Sequence, residues 1–430
     1  MHKLAALFLW ALIRRAVAED SRLGRAEVEL PLENVTKFAF GSCNQGSSPQ
    51  PLWKHIEAEK PGFFLWLGDA VYGDNRVLPL IWRPNTIEAV REKYAEQARH
   101  PEYSKFLASG TKVLGIWDDH DYGLNDGGRD YKDAPLVQQI FLDFLKEPAD
   151  SVRRQRNGLY TSYLIHSSHG KTIKLILLDV RSQLDRATAD VLGAEQWQWL
   201  EAQLQAGAAG EADMMIVTSG MQVISDTPTV DRMERHLKSR TRLLDLIGSY
   251  PKVVLLSGDV HYAEVNCWKS EQSNRHAVHE LTSSGMTHTC LNWGIPPLDK
   301  LCHLTLELVL QSKYRVSPQL LKKNFGTLEF DWQDEKGKVT FNAHSADGVE
   351  FSYPVTVSEL SSTVAKCPPV VSKPQPVHVF WFCFAGLFTG VFVTAYMLLH
   401  LFKSLLRATS SMIRGSPSSG TSKKVQKKRQ

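Results

Sequence analysis

Six short apolar runs in this sequence end abruptly in loops that carry thiol, phenol, carboxylate and imidazole side chains. Phe38 to Phe40 leads into Gly41-Ser42-Cys43, Phe63 to Leu67 into Gly68-Asp69-Ala70-Val71-Tyr72, and Val113 to Ile116 into Trp117-Asp118-Asp119-His120-Asp121, with Asn125 and Asp126 close behind. Leu175 to Leu178 precedes Asp179 and Arg181, Met214 to Val217 precedes Ser219-Gly220-Met221-Gln222, and Val253 to Leu256 precedes Ser257-Gly258-Asp259-Val260-His261. Taken singly each loop says little, since Asp after Gly is a good turn former. Delivered together to one edge of a sheet, these are the ligand types that metal ions need. The chemistry that suits such a set is hydrolysis of a phosphate ester. Two metal ions ~4 Å apart neutralise the phosphoryl oxygens, make hydroxide available near neutral pH and steady the leaving oxygen. One carboxylate has to bridge them, and Gly68, which lets the backbone turn sharply after its strand, directs Asp69 to that position.

The runs are short and rich in β-branched and aromatic residues, as buried strands are. Between them the pattern turns helical: a stretch from about Thr86, with Asn85 and Glu88 spaced as a capping box, and Glu195 to Leu204, with Trp197 and Leu200 on one face. Alternating strand and helix predicts an α/β fold, in which ligands bind beyond the carboxyl ends of the strands. After His279 strands follow without strong helices, at Phe325 to Trp332, Val339 to His344 and Phe351 to Val357. The natural reading is a second sheet packed on the first.

In order along the chain, Gly41-Ser42-Cys43, Gly68-Asp69-x-x-Tyr72, the Trp117 to Asp121 block and the Ser257 to His261 block look like the signature blocks of the PhoD-like (alkaline phosphatase D type) metallophosphatases, within the calcineurin-like metallophosphoesterase superfamily. Leu178-Asp179-Val180-Arg181, the Gly193 to Leu204 stretch and Glu280 to Gly285 fit in the same order, so the resemblance runs from Lys37 to Val357. Compared with calcineurin-type enzymes, the first block has Cys43 instead of Asp-x-His and the second has Tyr72 instead of a second Asp. The resemblance implies a four-layer αββα sandwich with Asp69 bridging the metals. It implies that Cys43, Tyr72 and His261 favour Fe3+ and that Asp119 and Asp259 serve a Ca2+-like site, which other divalent metals could also fill. His120 would steady the leaving group or transition state, oriented by Asp121, and Arg181 would hold a phosphate oxygen. The nucleophile would be metal-bound hydroxide. Asp118, Asn125, Asp126 and Gln222 are further candidates, behind the ligands or as extra ones. Relatives commonly show paired asparagines where this chain has Asn125-Asp126, and bacterial relatives often carry an extra N-terminal β domain for which no room is expected here.

The two ends are expected to place this domain. Lys3, the apolar run Leu4 to Ile13 and the triplet Ala16-Val17-Ala18 read as a cleavable signal peptide (1–18), with Arg14 and Arg15 as departures from the usual pattern. A short segment (19–36), the catalytic domain (37–360) and a proline-rich stalk (361–377) follow. The uncharged stretch Val379 to Leu399 predicts one transmembrane helix (378–402). Behind it a basic tail (403–430) without acidic residues is expected in the cytosol, where anionic lipid headgroups could meet it. The expectation is a single-pass type I membrane protein of the secretory pathway or cell surface, with its domain lumenal or extracellular.

The formal net charge is +4, and without the eight cations after Phe402 the remainder is about −4, so no nucleic-acid-binding surface is indicated. Asn34-Val35-Thr36 is a glycosylation sequon. Cys267, Cys290, Cys302 and Cys367 suffice for two disulfides, in any of three pairings. His276, His279, His288 and His303 lack metal-type spacing and read as surface or packing residues, and Arg153, Arg154 and Arg156 as a solvated loop. The function expected is hydrolysis of phosphomonoesters or phosphodiesters, which need the same charge stabilisation. Its rival is a catalytically silent ectodomain on the same fold, acting as receptor or adhesion protein. Such a protein would show lost ligands, and none is visibly lost.

Overall fold

The computed structural model describes residues 24–78, 81–227, 233–290, 296–308, 311–334, 336–372 and 396–397. The chain divides into two units, Met1–Pro374 and Gln375–Gln430, and of the second only Tyr396 and Met397, both helical, are described. The expected signal peptide (1–18), the rest of the expected span (378–402) and the basic tail (403–430) lie outside the described residues. Among the described residues no helix is long and apolar enough to cross a membrane.

Two large sheets and one hairpin make up the strands of the first unit. The seven-stranded sheet has the order β1 (Val28–Glu29), β7 (Thr161–His166), β8 (Thr172–Leu177), β9 (Met214–Ser219), β10 (Val253–Ser257), β12 (Val278–Ser283), β11 (Ala263–Trp268). The six-stranded sheet has the order β15 (Gly348–Thr356), β14 (Lys338–Ser345), β13 (Phe325–Asp331), β2 (Lys37–Gly41), β3 (Phe63–Leu67), β6 (Lys112–Ile116). Among the described residues the strands β4 (Asn75–Leu78) and β5 (Ile81–Arg83) pair only with each other.

Each chemistry-bearing run is a strand, and they divide three and three. β2, β3 and β6 are parallel neighbours in one sheet, and β8, β9 and β10 in the other. Parallel neighbours need a crossover after each strand, so their following loops emerge at one end. This corrects the sequence reading, which put the runs in one sheet and the later strands in another. Instead β13 pairs antiparallel with β2, Leu328 opposite Phe38, and β14 and β15 add beyond it. Periodicity records which face of a strand is buried, not which strand lies beside it.

The alternation of each strand sorts its side chains between layers. Ile173, Leu175 and Leu177 of β8 join the core that contains Phe38, Phe40, Leu328 and Phe341 of the other sheet. Ile176 faces the opposite way, with Trp197, Leu200 and Leu204 of helix Gly193–Ala206 and Leu243 and Ile247 of helix Leu237–Ile247. On the far side of the six-stranded sheet, Phe64 and Trp66 pack edge-on against Trp53 of helix Trp53–Ala58, at centroid distances of 4.9 and 5.3 Å. The layers therefore run helix, sheet, sheet, helix.

The helix Ile87–Arg99 is capped by Thr86, whose side chain accepts the Ala89 N–H. Asn85 does not form the expected box; it donates to the Gly73 carbonyl at 2.8 Å and braces the loop after β3. The cysteines pair Cys267 with Cys367 and Cys290 with Cys302, which selects one of the three pairings, and Cys43 is a buried free thiol.

Candidate metal centre

The loops beyond β2, β3, β6, β9 and β10 meet where the ends of the two sheets come together. Gly68 sits at φ +91°, and a Cβ there would lie 2.4 Å from the Asp118 Cβ. A Cβ on Gly258 would lie 2.5 Å from the Leu67 carbonyl of the other sheet. Both glycines let backbone approach backbone closely enough for side chains from different sheets to share one space. The residues beside them are strained in turn. Cys43 (φ 59°), Asp69 (φ 50°), Asp259 (φ 72°) and His261 (φ 62°) all occupy the left-handed region, which costs an L-residue ~1 kcal/mol or more each. Strain gathered on four candidate ligands marks the place where geometry outranks backbone stability.

Asp69 is central. One carboxylate oxygen lies 3.5 Å from the Cys43 Sγ and the other accepts the His120 N–H at 3.3 Å. The Cys43 sulfur also accepts the Ser284 hydroxyl at 3.0 Å. Tyr72 Oη stands 3.5 Å from His261 Nε2 and 3.0 Å from His288 Nε2. His261 Nδ1 donates to the Cys290 carbonyl at 2.8 Å, which leaves the Nε2 lone pair for a ligand bond. Among the described residues two groups bring ligand atoms within 4.8 Å of one another: Asp69, Asp119 and His120, and Asp118, Asp119 and Asp259. Cys43 belongs to neither group, although its sulfur abuts Asp69.

Asp119 accepts the Asp126 N–H at 2.7 Å and the His120 N–H at 3.0 Å. The loop at Asn125 and Asp126 thus serves through its backbone, and the Asp126 carboxylate lies 3.6 Å from Arg235. Arg181 is fully buried and pairs with Asp118 at 2.5 Å, which makes it a partner of the acidic cluster. Gln222 stands behind the centre, donating to Glu264 at 2.9 Å and Thr282 at 3.1 Å. Asn34 is exposed, as a glycosylation acceptor must be.

The expected role of Asp121 is corrected. Its carboxylate accepts the N–H groups of Ala70, Val71 and Asp118 at 3.1, 2.8 and 3.3 Å and so pins the Asp69 loop to the Asp118 turn. His120 is held by Asp74, whose two oxygens lie 2.9 and 3.0 Å from Nδ1. Asp74 is fully buried, also accepts the Asn125 N–H at 2.9 Å, and rides on a loop tied down by Lys93 through the Tyr72 and Asp74 carbonyls. It lies two residues beyond Tyr72 in the block already read as chemical, so a carboxylate following that block was the available signal. His288, read as a packing residue, is a second omission; it follows the Ser283-Ser284-Gly285 turn whose Ser284 touches Cys43. Arg153 is not in a solvated loop either: it is buried and donates to the Leu159 and Gly115 carbonyls.

Electrostatics argue for cations here. Burial pushes the Asp69 and Asp259 carboxyls up, helped by neighbouring aspartates, and burial with nearby carboxylates pushes the Cys43 thiol and Tyr72 phenol up too. One buried oxygen of Asp259 has no hydrogen-bond partner. Burial also works against ionised Asp119, but Arg181 and His120 hold its carboxyl below the usual range. Burial opposes charge on His120 as well, yet Asp119, Asp74 and Asp69 raise it to about 10. A bound metal ion is the agent that keeps thiolate, phenolate and several carboxylates ionised together, so the donor set fits metal ions.

A PhoD-like phosphatase family model matches residues 38–341. The chain belongs to the PhoD-like phosphatase family, whose members bind metals and act as phosphatases or phosphodiesterases. The solved structure described as "Structure of PhoD" is similar over 82% of this chain and 74% of that chain, at 16% identity and a TM-score of 0.53, which shows the fold. The C-terminal domain of a putative chitinase from Desulfitobacterium hafniense reaches a TM-score of only 0.17, at 13% identity over 71% of this chain and 69% of that one, and carries no argument. No curated protein matches significantly.

Proposed function

We propose that this chain hydrolyses phosphomonoesters or phosphodiesters at the centre around Asp69, in a domain on the lumenal or extracellular side of a membrane to which residues 378–402 anchor it. The observation that carries the reading is the convergence of Cys43, Asp69, Tyr72, His261, Asp119 and Asp259 from two sheets, four of them in strained conformations. Cys43, Tyr72 and His261 with Asp69 would hold Fe3+, since a thiolate and a phenolate together suit a trivalent ion. Asp118, Asp119 and Asp259 form an oxygen-rich set suited to a Ca2+-like ion. When bound, such ions supply charge neutralisation at the phosphoryl oxygens and activated water near neutral pH.

The chain's own residues do the rest. Asp74 fixes the His120 ring through Nδ1, so that Nε2 is presented to a leaving oxygen. Arg181 fixes the Asp118 carboxylate instead of reaching for substrate phosphate directly. Purified protein loaded with metal should hydrolyse members of a panel of phosphate esters. His120→Ala should lower turnover ~100- to 10,000-fold while metal content stays near wild type. Full metal content without hydrolysis across the panel would favour a catalytically silent ectodomain. Membrane placement is tested by protease protection in sealed microsomes; digestion of the Asn34 region with protection of the tail would reverse it.

A further inference from the structure

Among the described residues the β4–β5 hairpin pairs with neither main sheet. A two-stranded hairpin is marginal on its own, and Trp82 belongs to neither hydrophobic core. Yet Trp82 is only half-buried and lies directly over the centre, its ring 4.4 Å from that of His120 and 5.9 Å from that of Tyr72. Arg76 is its cross-strand partner, so the two side chains share one face of the hairpin. The Arg76 guanidinium sits 5.6 Å from the Trp82 ring, and its positive field reaches His261 and His288. A half-exposed indole thus stands beside a buried acidic cluster, packed on the His120 and Tyr72 rings and carried by a hairpin outside both main sheets.

We propose that Trp82 and Arg76 form the leaving-group subsite and select phosphate esters whose leaving group is a flat aromatic ring, aryl or nucleobase-bearing. This rests on the proposed phosphoesterase reading, because His120, the ring that Trp82 touches, is the group presented to the leaving oxygen. A planar group departing from phosphorus past His120 meets the indole, and stacking requires only a π face. Arg76 meets the electron-rich atoms of such a ring or an anionic substituent on it. An alkyl leaving group gains little from either.

The test is binding of two phosphonates that cannot be hydrolysed, phenylphosphonate and ethylphosphonate, to the metal-loaded full chain by calorimetry, so no turnover is needed. Wild type should bind phenylphosphonate about tenfold more tightly. Trp82→Ala should abolish that preference and change ethylphosphonate affinity less than about twofold, and Trp82→Phe should restore most of the preference. Equal binding of the two probes by wild type would overturn the subsite and leave the phosphoesterase reading intact. Loss of affinity for both probes alike in Trp82→Ala would do the same, since a merely structural tryptophan behaves so. If wild type binds neither, the phosphate centre itself is refuted and the subsite falls with it.

Discussion

Asp74→Asn separates two carboxylates that the sequence alone confuses. Asp74 places both oxygens within 3.0 Å of His120 Nδ1 and takes the Asn125 N–H on one of them at 2.9 Å. Asparagine offers one oxygen, so whichever donor it keeps, its amide hydrogens face the other. The loss is one charge-assisted hydrogen bond, worth ~1.5–3 kcal/mol when buried. If that energy holds His120 in its productive orientation, turnover should fall roughly 10- to 100-fold, at about 1.4 kcal/mol per factor of ten. That is smaller than the loss expected for His120→Ala, because the ring is still present. Metal content should stay near wild type, since the Asp74 side chain bonds to the His120 ring and the Asn125 N–H and to none of the proposed metal ligands.

Asp121→Asn should behave differently. Asp121 accepts three backbone N–H groups around the Asp69 and Asp118 loops, and one oxygen cannot replace two. Leaving a buried N–H unpaired costs about 1–3 kcal/mol, and the displaced loop carries Asp69, so melting temperature and metal content should both drop. Steady-state kinetics, elemental analysis and thermal melting on both variants decide the matter. Wild-type turnover in Asp74→Asn would refute the orienting role, as would a loss that merely follows metal content or melting.

The purified domain should be coloured by a broad visible absorption from phenolate and thiolate to iron, shifted or removed in Tyr72→Phe and Cys43→Ser and lost with both metals in Asp69→Asn; a colourless zinc protein that still hydrolyses esters would defeat the iron assignment alone. Gly68→Ala should lower stability by more than ~2 kcal/mol, from a φ of +91° and a methyl 2.4 Å from the Asp118 Cβ, and an unfolding curve within ~0.5 kcal/mol of wild type would contradict the close approach. His279 is held neutral by burial, its pKa lowered from 6.5 to about 4. The unfolded chain therefore binds the extra proton first, so this contribution is complete above pH 6.5 and is lost as pH falls towards 4, by up to ~3 kcal/mol. His279→Gln should flatten that slope in melts between those limits, and an unchanged slope would show that other groups carry it.

The strands and their loops were legible because a buried parallel strand leaves an apolar run, and a loop at its carboxyl end leaves a break to polar residues. Cys43, Asp69, Asp119 and Asp259 each stand within three residues of such a break, and His261 follows Asp259 by two. The sheet partners were not legible, because Leu328 opposite Phe38 is a contact between segments that share no local signal. Asp74 and His288 were missed for a related reason. Each acts by a bond to a residue far away in sequence, His120 and Tyr72 respectively, and neither bond leaves a spacing to read. Asp121 was assigned to the neighbouring histidine by adjacency, yet in the Asp119–Tyr122 turn it points back to cap the helix it belongs to.

The charge arrangement of the centre sorts its residues by the way each is kept ionised. Arg181 lies against Asp118 and 3.9 Å from Asp119, and His120 lies between Asp119 and Asp74, so these carboxylates have cations from the chain itself. Among the proposed ligands, Cys43, Asp69, Tyr72 and Asp259 are the groups in which the effect of burial prevails and favours the protonated form. They are also the groups whose ionised forms a metal ion requires. Folding therefore presents a set of protonated donors beside a set of internally balanced carboxylates, and a cation must displace protons from the first set to bind. Occupancy should accordingly weaken as pH falls, and the left-handed conformations of Cys43, Asp69, Asp259 and His261 are the backbone strain that holds these donors close enough to share that cation.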